Sequence, residues 1–225
     1  MCGRYYRRSD KQKIAEAFRT GIPTSFEILP TYNAAPQSFQ PIVCLNHRTL
    51  EREILQMRWG LVPYWAKDPK MGYSTINAKA ETLATSSTYR ESFERRRCLI
   101  PVDGFYEWDT IGPKTKEPFA IALTNGSLFA LAGLWDRWKD RTTGQALYTF
   151  TVITTDPNEL IEKFHHRMPV IVAPADYARW MAPADPAHLP VDLLRPYPSE
   201  KLTAWRVSAA VGNWRNDHPG LIEPI

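Results

Sequence analysis

Paired cysteines, a glycine-rich phosphate loop and a long apolar run are all missing from this chain of 225 residues. The three cysteines, Cys2, Cys44 and Cys98, are odd in number and widely spaced, which argues against a disulfide framework and a CxxC metal pair. Five scattered histidines add no zinc signature, so neither a metal nor a cofactor is expected. The start, Met1 to Arg8, lacks the apolar segment of a signal peptide, and no stretch reaches membrane-spanning length. A cytoplasmic protein without membrane contact is expected. Without a GxGxxG or Walker pattern, a dinucleotide or P-loop fold has no support. No repeat, low-complexity segment or linker divides the chain, which reads as one domain over residues 1–225.

What is present is a core-forming composition. Hydrophobic residues make up 44% and aromatics 12%, enough for a substantial interior. Nineteen prolines are spread throughout, so helices and strands must be short and joined by many turns. The net charge of +4 means that any basic surface is local. Composition alone does not indicate nucleic acid.

Patterning gives an α+β chain. Ser9 or Asp10 can cap a helix with Ile14, Ala17 and Phe18 on its apolar side. A strand over Pro41–Leu45 turns at Asn46–Thr49 and returns with Leu55, Met57 and Trp59 on one face. Residues 60–80 read as irregular. A helix near 88–97 carries an arginine run, Arg95–Arg97, read as a solvated face that could steer DNA. Strands follow at Cys98–Val102, Gly104–Trp108, Phe119–Leu123 and Leu128–Trp135, with Asn125-Gly126 as a hairpin turn. After a strand at Tyr148–Thr154, Thr155-Asp156-Pro157 has the form of a helix start, with an end near Phe164–Pro169. A strand at Val170–Val172, a short helix near 176–181 and a strand near 202–207 complete the pattern. The expected architecture is mostly antiparallel sheets rolled towards a barrel, with short peripheral helices.

Cys2 carries the sharpest chemistry. Methionine aminopeptidases remove Met1 when the next residue is small. The new terminus would hold an amine of pKa about 7.7–8.0 beside a thiol of pKa about 8.5. An aldehyde can condense with that amine, and the thiol can close on the imine to give a five-membered thiazolidine. Position alone still favours an incidental or buried cysteine. Glu107 either faces solvent or enters a pocket, where burial would raise its pKa into the range useful for proton transfer. His165 and His166 either titrate usefully or merely complement a helix dipole. Asn77 and Lys79 are loop residues that could meet a sugar or phosphate. Trp65 could stack a base, though eight tryptophans mean that most belong to the core.

Together these segments resemble the SRAP family of abasic-site processing proteins. The resemblance is carried by Met1-Cys-Gly-Arg4, Tyr32–Pro36, Trp59–Pro63 with Trp65, Ile76–Thr82 and Arg97–Pro101. It continues through Asp103–Trp108, Thr154-Thr155, His165–Pro169, Arg215–Asp217 and Leu221–Ile225. It implies Cys2 as the cross-linking residue and Asn77, Glu107 and His165 as active-site partners. It puts Arg4, Trp65, Lys79, Thr154 and Arg167 in contact with DNA. Lys79 stands where an arginine is often found and loses the bidentate fork. His166 replaces a commonly acidic neighbour. The implied partner is single-stranded DNA containing abasic sites, met by a cytoplasmic monomer associated with the nucleoid during DNA damage. The implied product is a covalent DNA–protein crosslink, with possible lyase and autopeptidase activity. A thiol peptidase with Cys2 as nucleophile, and a non-covalent single-strand binder, are the alternatives.

Overall fold

The structure, a computed structural model, describes residues 2–112, 115–183, 185 and 188–225. Met1, which the sequence reading expects to be removed, lies outside the described residues. In chain order the first half runs β1 (Tyr5–Arg7), α1 (Lys11–Phe18), β2 (Thr31–Ala34), β3 (Phe39–Leu45), β4 (Arg52–Trp59), β5 (Asn77–Lys79) and α2 (Arg90–Arg95). Strands then dominate, with β6 (Arg97–Val102), β7 (Gly104–Thr110), β8 (Lys116–Leu123), β9 (Phe129–Lys139) and β10 (Ala146–Thr155). The chain ends with β11 (Met168–Pro169), β12 (Ile171–Val172), α3 (Tyr177–Met181) and β13 (Leu202–Arg206). Short 3-10 turns fill the connections.

Five of these strands close on themselves in the order β10-β4-β3-β6-β9, because β9 pairs both β6 and β10. Only the β4–β10 seam of this ring is parallel. The period of two then sorts the side chains. Ile42, Cys44, Met57, Trp59, Cys98, Ile100, Leu131, Phe150 and Val152 form one core, and Val43, Ile54, Leu99, Ala132, Leu134 and Ile153 belong to another. That second face is covered by Ile14 and Phe18 of α1, Phe93 of α2, and Tyr177 and Trp180 of α3. A second sheet, ordered β13-β8-β7-β1-β2, contributes Tyr5 and Phe105 to the barrel core. The barrel with short outer helices agrees with the patterning.

Asp10, not Ser9, caps α1, accepting from the Lys13 N–H at 2.9 Å. Ser9 instead gives its hydroxyl and its N–H to the buried Asp103 carboxylate. Ala15 rather than Ala17 is buried on that helix. Of the arginine run, only Arg95 is exposed to solvent. Arg97 belongs to β6, is buried, and donates to the carbonyls of Phe93, Glu94, Trp180 and Ala182. No α-helix follows Pro157: β10 extends to Thr155 and pairs with Met168, so the intervening segment is a return loop with one turn at Ile161–Lys163. Asn158 Oδ1 caps that turn by accepting from the Ile161 N–H at 2.9 Å.

Residues 60–68, expected to be irregular, are nonetheless tightly held. The Gly60 N–H donates to Phe150 O, the Val62 N–H to Thr149 Oγ1, and Trp138 Nε1 to Ala66 O. Gly60 sits at φ +118°, and a Cβ there would lie 2.2 Å from the Gly72 carbonyl oxygen. Glycine is required on both counts. Gly60→Ala is therefore expected to cost at least about 2 kcal/mol in urea denaturation. A loss below about 0.5 kcal/mol, the range of ordinary surface changes, would show that this loop is not held by that contact.

Candidate active site

The site forms where the second sheet meets the end of the barrel. β1 follows Cys2 directly and pairs with β7, with Tyr5 opposite Phe105. Cys2 packs against the barrel core and is fully buried. Burial pushes its thiol well above the ordinary cysteine range, and the nearby Glu107 carboxylate adds to that shift. The sequence reading gave this thiol an ordinary pKa; with the residue enclosed, desolvation overrides that value.

Asn77 reaches Cys2 from the barrel. Its Nδ2 donates to the Cys2 carbonyl at 3.1 Å. Far from lying in an irregular segment, Asn77 begins β5, which pairs in parallel with β10 through Val152, Ile153 and Thr154. Trp59 Nε1 donates to Ile76 O at 2.8 Å and Tyr89 Oη to Asn77 O at 3.1 Å, so the backbone is fixed on both sides of the asparagine. Its Oδ1 is buried and accepts from no donor among the described residues. Such an acceptor is suited to a ligand hydroxyl or amine.

Glu107 lies on β7 on the same face as Phe105 and is only 2% exposed. The sequence left pocket and solvent open; the structure selects burial. Desolvation raises its pKa to about 7, with Lys116 pulling the other way. A carboxyl with that pKa exchanges protons readily at neutral pH. His165 approaches the same region through packed rings: Glu107 pairs with Phe119 across β7–β8, and Phe119 packs on Phe164 with centroids 4.6 Å apart. Nδ1 of the neutral imidazole lies 2.9 Å from the Arg167 N–H and 3.2 Å from the Arg167 carbonyl, so the Arg167 backbone holds the ring. Burial, followed by other charges that include His166 and Lys116, lowers its pKa and favours that neutral form. The His165 and His166 rings stack 4.2 Å apart at the edge of a cleft of about 520 Å³ that Lys116 also lines.

The expected DNA contacts divide sharply. Trp65 is 42% exposed on its fixed loop, and Lys79 projects from the surface. Arg4 is committed elsewhere, donating to Asn33 Oδ1 at 2.7 Å and to the carbonyls of Val211 and Gly212. Arg167 is held by Glu81 in a bidentate pair at 2.8 and 2.9 Å, by Asp156, and by the Thr154 carbonyl. Thr154 is buried, with Oγ1 against Ala78 O. Arg4, Thr154 and Arg167 thus each have partners within the chain. Lys116 was missed: it opens β8 in a polar stretch with no motif, and only the pairing of β7 with β8 brings its charge to Glu107 and His165.

A small barrel whose first cysteine is enclosed beside an asparagine and a protonatable glutamate defines a distinct class of protein. Residues 1–214 match the family described as SOS response associated peptidase (SRAP), and the chain belongs to that family. It is 43% identical over 227 residues to the abasic site processing protein YoqW of Bacillus subtilis (strain 168), with 99% of each chain covered. It is 34% identical over 227 residues to the abasic site processing protein HMCES of Gallus gallus, covering 87% of this chain and 66% of that protein. A crystal structure of a protein from Bacteroides thetaiotaomicron superposes with a TM-score of 0.88 at 26% identity, covering all of both chains. No helix among the described residues is long and apolar enough to cross a membrane.

Burial of Glu107 has a measurable consequence. Its folded pKa of about 7 lies above the ordinary 4.5, so the folded chain binds the proton more tightly. The associated stability is fully present below pH 4.5 and is lost as pH rises through 7. Glu107→Gln should remove this slope, closing a gap on the order of 3 kcal/mol between acid and alkaline conditions in denaturant titrations. An identical pH profile for both proteins would show that Glu107 titrates normally.

Proposed function

We propose that this chain processes abasic sites in single-stranded DNA by forming a covalent adduct through Cys2 once Met1 is removed. The support is chiefly one observation: Asn77, fixed on β5, donates to the Cys2 carbonyl, while the buried Glu107 acts electrostatically on the same residue. The relatives named as abasic site processing proteins, matched along nearly the whole chain in the case of YoqW, support abasic sites as the substrate.

In this reading the amine acts before the thiol. The Cys2 amine adds to the open-chain aldehyde of the abasic sugar, and the carbinolamine loses water to give an imine. Glu107, with a pKa of about 7, gives the proton that lets the hydroxyl leave. The thiol is held protonated by burial, so it needs a base at the moment of closure, and the Glu107 carboxylate just formed takes that proton. Sulfur then adds to the carbon of the protonated imine, the C=N electron pair returns to nitrogen, and the thiazolidine is complete without an oxidant or reductant. His165 hydrogen-bonds the sugar oxygen or phosphate, and the open Oδ1 of Asn77 accepts from the amine or a sugar hydroxyl. Lys79 and Trp65 supply the exposed phosphate and base contacts. Elimination of the 3′ phosphate from the imine would be a lyase side reaction that ring closure suppresses.

The family description favours a peptidase as the second reading, and one assay separates the two. Wild type, Cys2→Ala and an N-terminally extended form are mixed with abasic single-stranded DNA and run under denaturing conditions. Only wild type should give a heat-stable adduct. Cys2→Ala should give an adduct only after borohydride trapping, because its amine remains. A stable adduct from the extended form would overturn the proposal, as would peptide turnover without any adduct. A separate outcome follows from the bracing of Arg167. Arg167→Gln should lower thermal stability by the loss of a partly buried ion-pair network, about 1–3 kcal/mol, and slow adduct formation, seen by time course.

A further inference from the structure

At one rim of the barrel, β9 and β10 leave a cleft of about 490 Å³ that the Cys2 chemistry does not use. Its wall is aromatic for a topological reason. Trp135 and Tyr148 continue the rows of Gly133 and Phe150 outward, and they pack on the end of the barrel core while keeping part of their surface open. The rings form a series: His47 lies 6.5 Å from Trp135 at 26°, and Trp135 lies 6.1 Å from Tyr148 at 31°. Exposed Tyr64 closes the side.

The same cleft is cationic. Arg95, Arg96 and Arg137 line it. Arg96 is matched by Glu91 at 3.0 Å and by Asp136 at 3.3 Å. Asp136, the acid of the cleft, is buried and also accepts from the Arg137 and Tyr64 N–H groups, so it presents little charge outward. Arg95 and Arg137 make no ion pair among the described residues and are exposed. The Arg137 guanidinium stands 5.9 Å from the Tyr148 ring centroid, directly across the strand pair. Flat rings flanked by unmatched guanidinium groups suit a nucleobase with its phosphate, in a volume of the size that small ligands occupy.

Position ties the cleft to the DNA path. Tyr64 adjoins Trp65, and its N–H is anchored on Asp136, so one rigid loop carries both the rim of the cleft and the exposed tryptophan. Tyr148 and Thr154 lie six residues apart on β10, roughly 20 Å at the rise of a strand, a span that several nucleotides must bridge. We infer that this cleft is a second DNA subsite, in which Trp135 and Tyr148 stack a base of the strand whose abasic site lies at Cys2, while Arg95 and Arg137 hold its phosphates. This rests on the proposed substrate, single-stranded DNA.

The test uses the Arg95→Gln/Arg137→Gln double variant and Tyr148→Ala, with fluorescence anisotropy on intact strands of about 5 and about 15 nucleotides. The double variant should bind the long strand at least fivefold more weakly, and its salt slope should fall by about 1.4, the loss of two phosphate contacts. Tyr148→Ala should weaken long-strand binding while leaving the slope unchanged. Binding of the short strand, and adduct yield on a short abasic strand, should stay as in wild type. Unchanged long-strand affinity would overturn the inference, as would an equal loss for both lengths. Displacement of the long strand's extra affinity by a mononucleotide would mark a free-nucleotide site and overturn it too. So would loss of binding to an acidic peptide with DNA binding intact. These readings use intact strands, so failure of Cys2 to form an adduct would leave them standing, and the two claims fail separately.

Discussion

The hydrogen bond from the Asn77 amide to the Cys2 carbonyl joins segments 75 positions apart and is the contact on which the rest of the site depends. Each end is braced independently. Asn77 is held by the parallel pairing of β5 with β10 and by donors from Trp59 and Tyr89 on either side. Cys2 is held by the pairing of β1 with β7 and by Arg4, whose guanidinium is clamped between Asn33 and the Val211–Gly212 carbonyls. The first residues of a chain ordinarily fray. Here a barrel edge, a second sheet and a late 3-10 turn are all recruited to keep them in place.

That enclosure sets the chemistry in both directions. Burial makes Glu107 a carboxyl that exchanges protons near neutral pH, and the same burial makes the Cys2 thiol a poor nucleophile without help. A peptidase that relied on a ready thiolate would be badly served by such a pocket. An amine-first reaction in which the carboxyl is a proton donor and then a proton acceptor uses both shifts. The neutral His165, held at Nδ1 by the Arg167 backbone and lowered in pKa by burial, fits a positioning group better than a shuttling base. In the proposed reaction the proton traffic therefore falls on Glu107 alone.

The legible parts of the sequence were those with local signals. Alternation identified β4 and its inward Met57 and Trp59, the Asx cap identified α1, and motif resemblance pointed to Cys2, Asn77, Glu107 and His165. What escaped depended on partners distant in sequence. β5 is three residues long and exists only because β10 pairs with it. Arg97 looked solvated beside Arg95 and Arg96, yet its carbonyl acceptors include Trp180 and Ala182, far along the chain. The Thr155–Pro157 helix start was a true local signal overridden by the extension of β10 and its pairing with Met168. The charges of Arg4 and Arg167 are visible in a sequence, whereas the carbonyls and carboxylates that also hold them are not.

Mass mapping of the adduct tests the central claim most directly. After reaction with abasic single-stranded DNA, nuclease trimming and proteolysis, the sugar remnant should sit on a peptide beginning at Cys2. Met1 should be absent from that peptide, and its thiol should resist alkylation because sulfur is closed in the ring. A remnant on Lys79 or another lysine, or on a peptide that still carries Met1, would contradict the account.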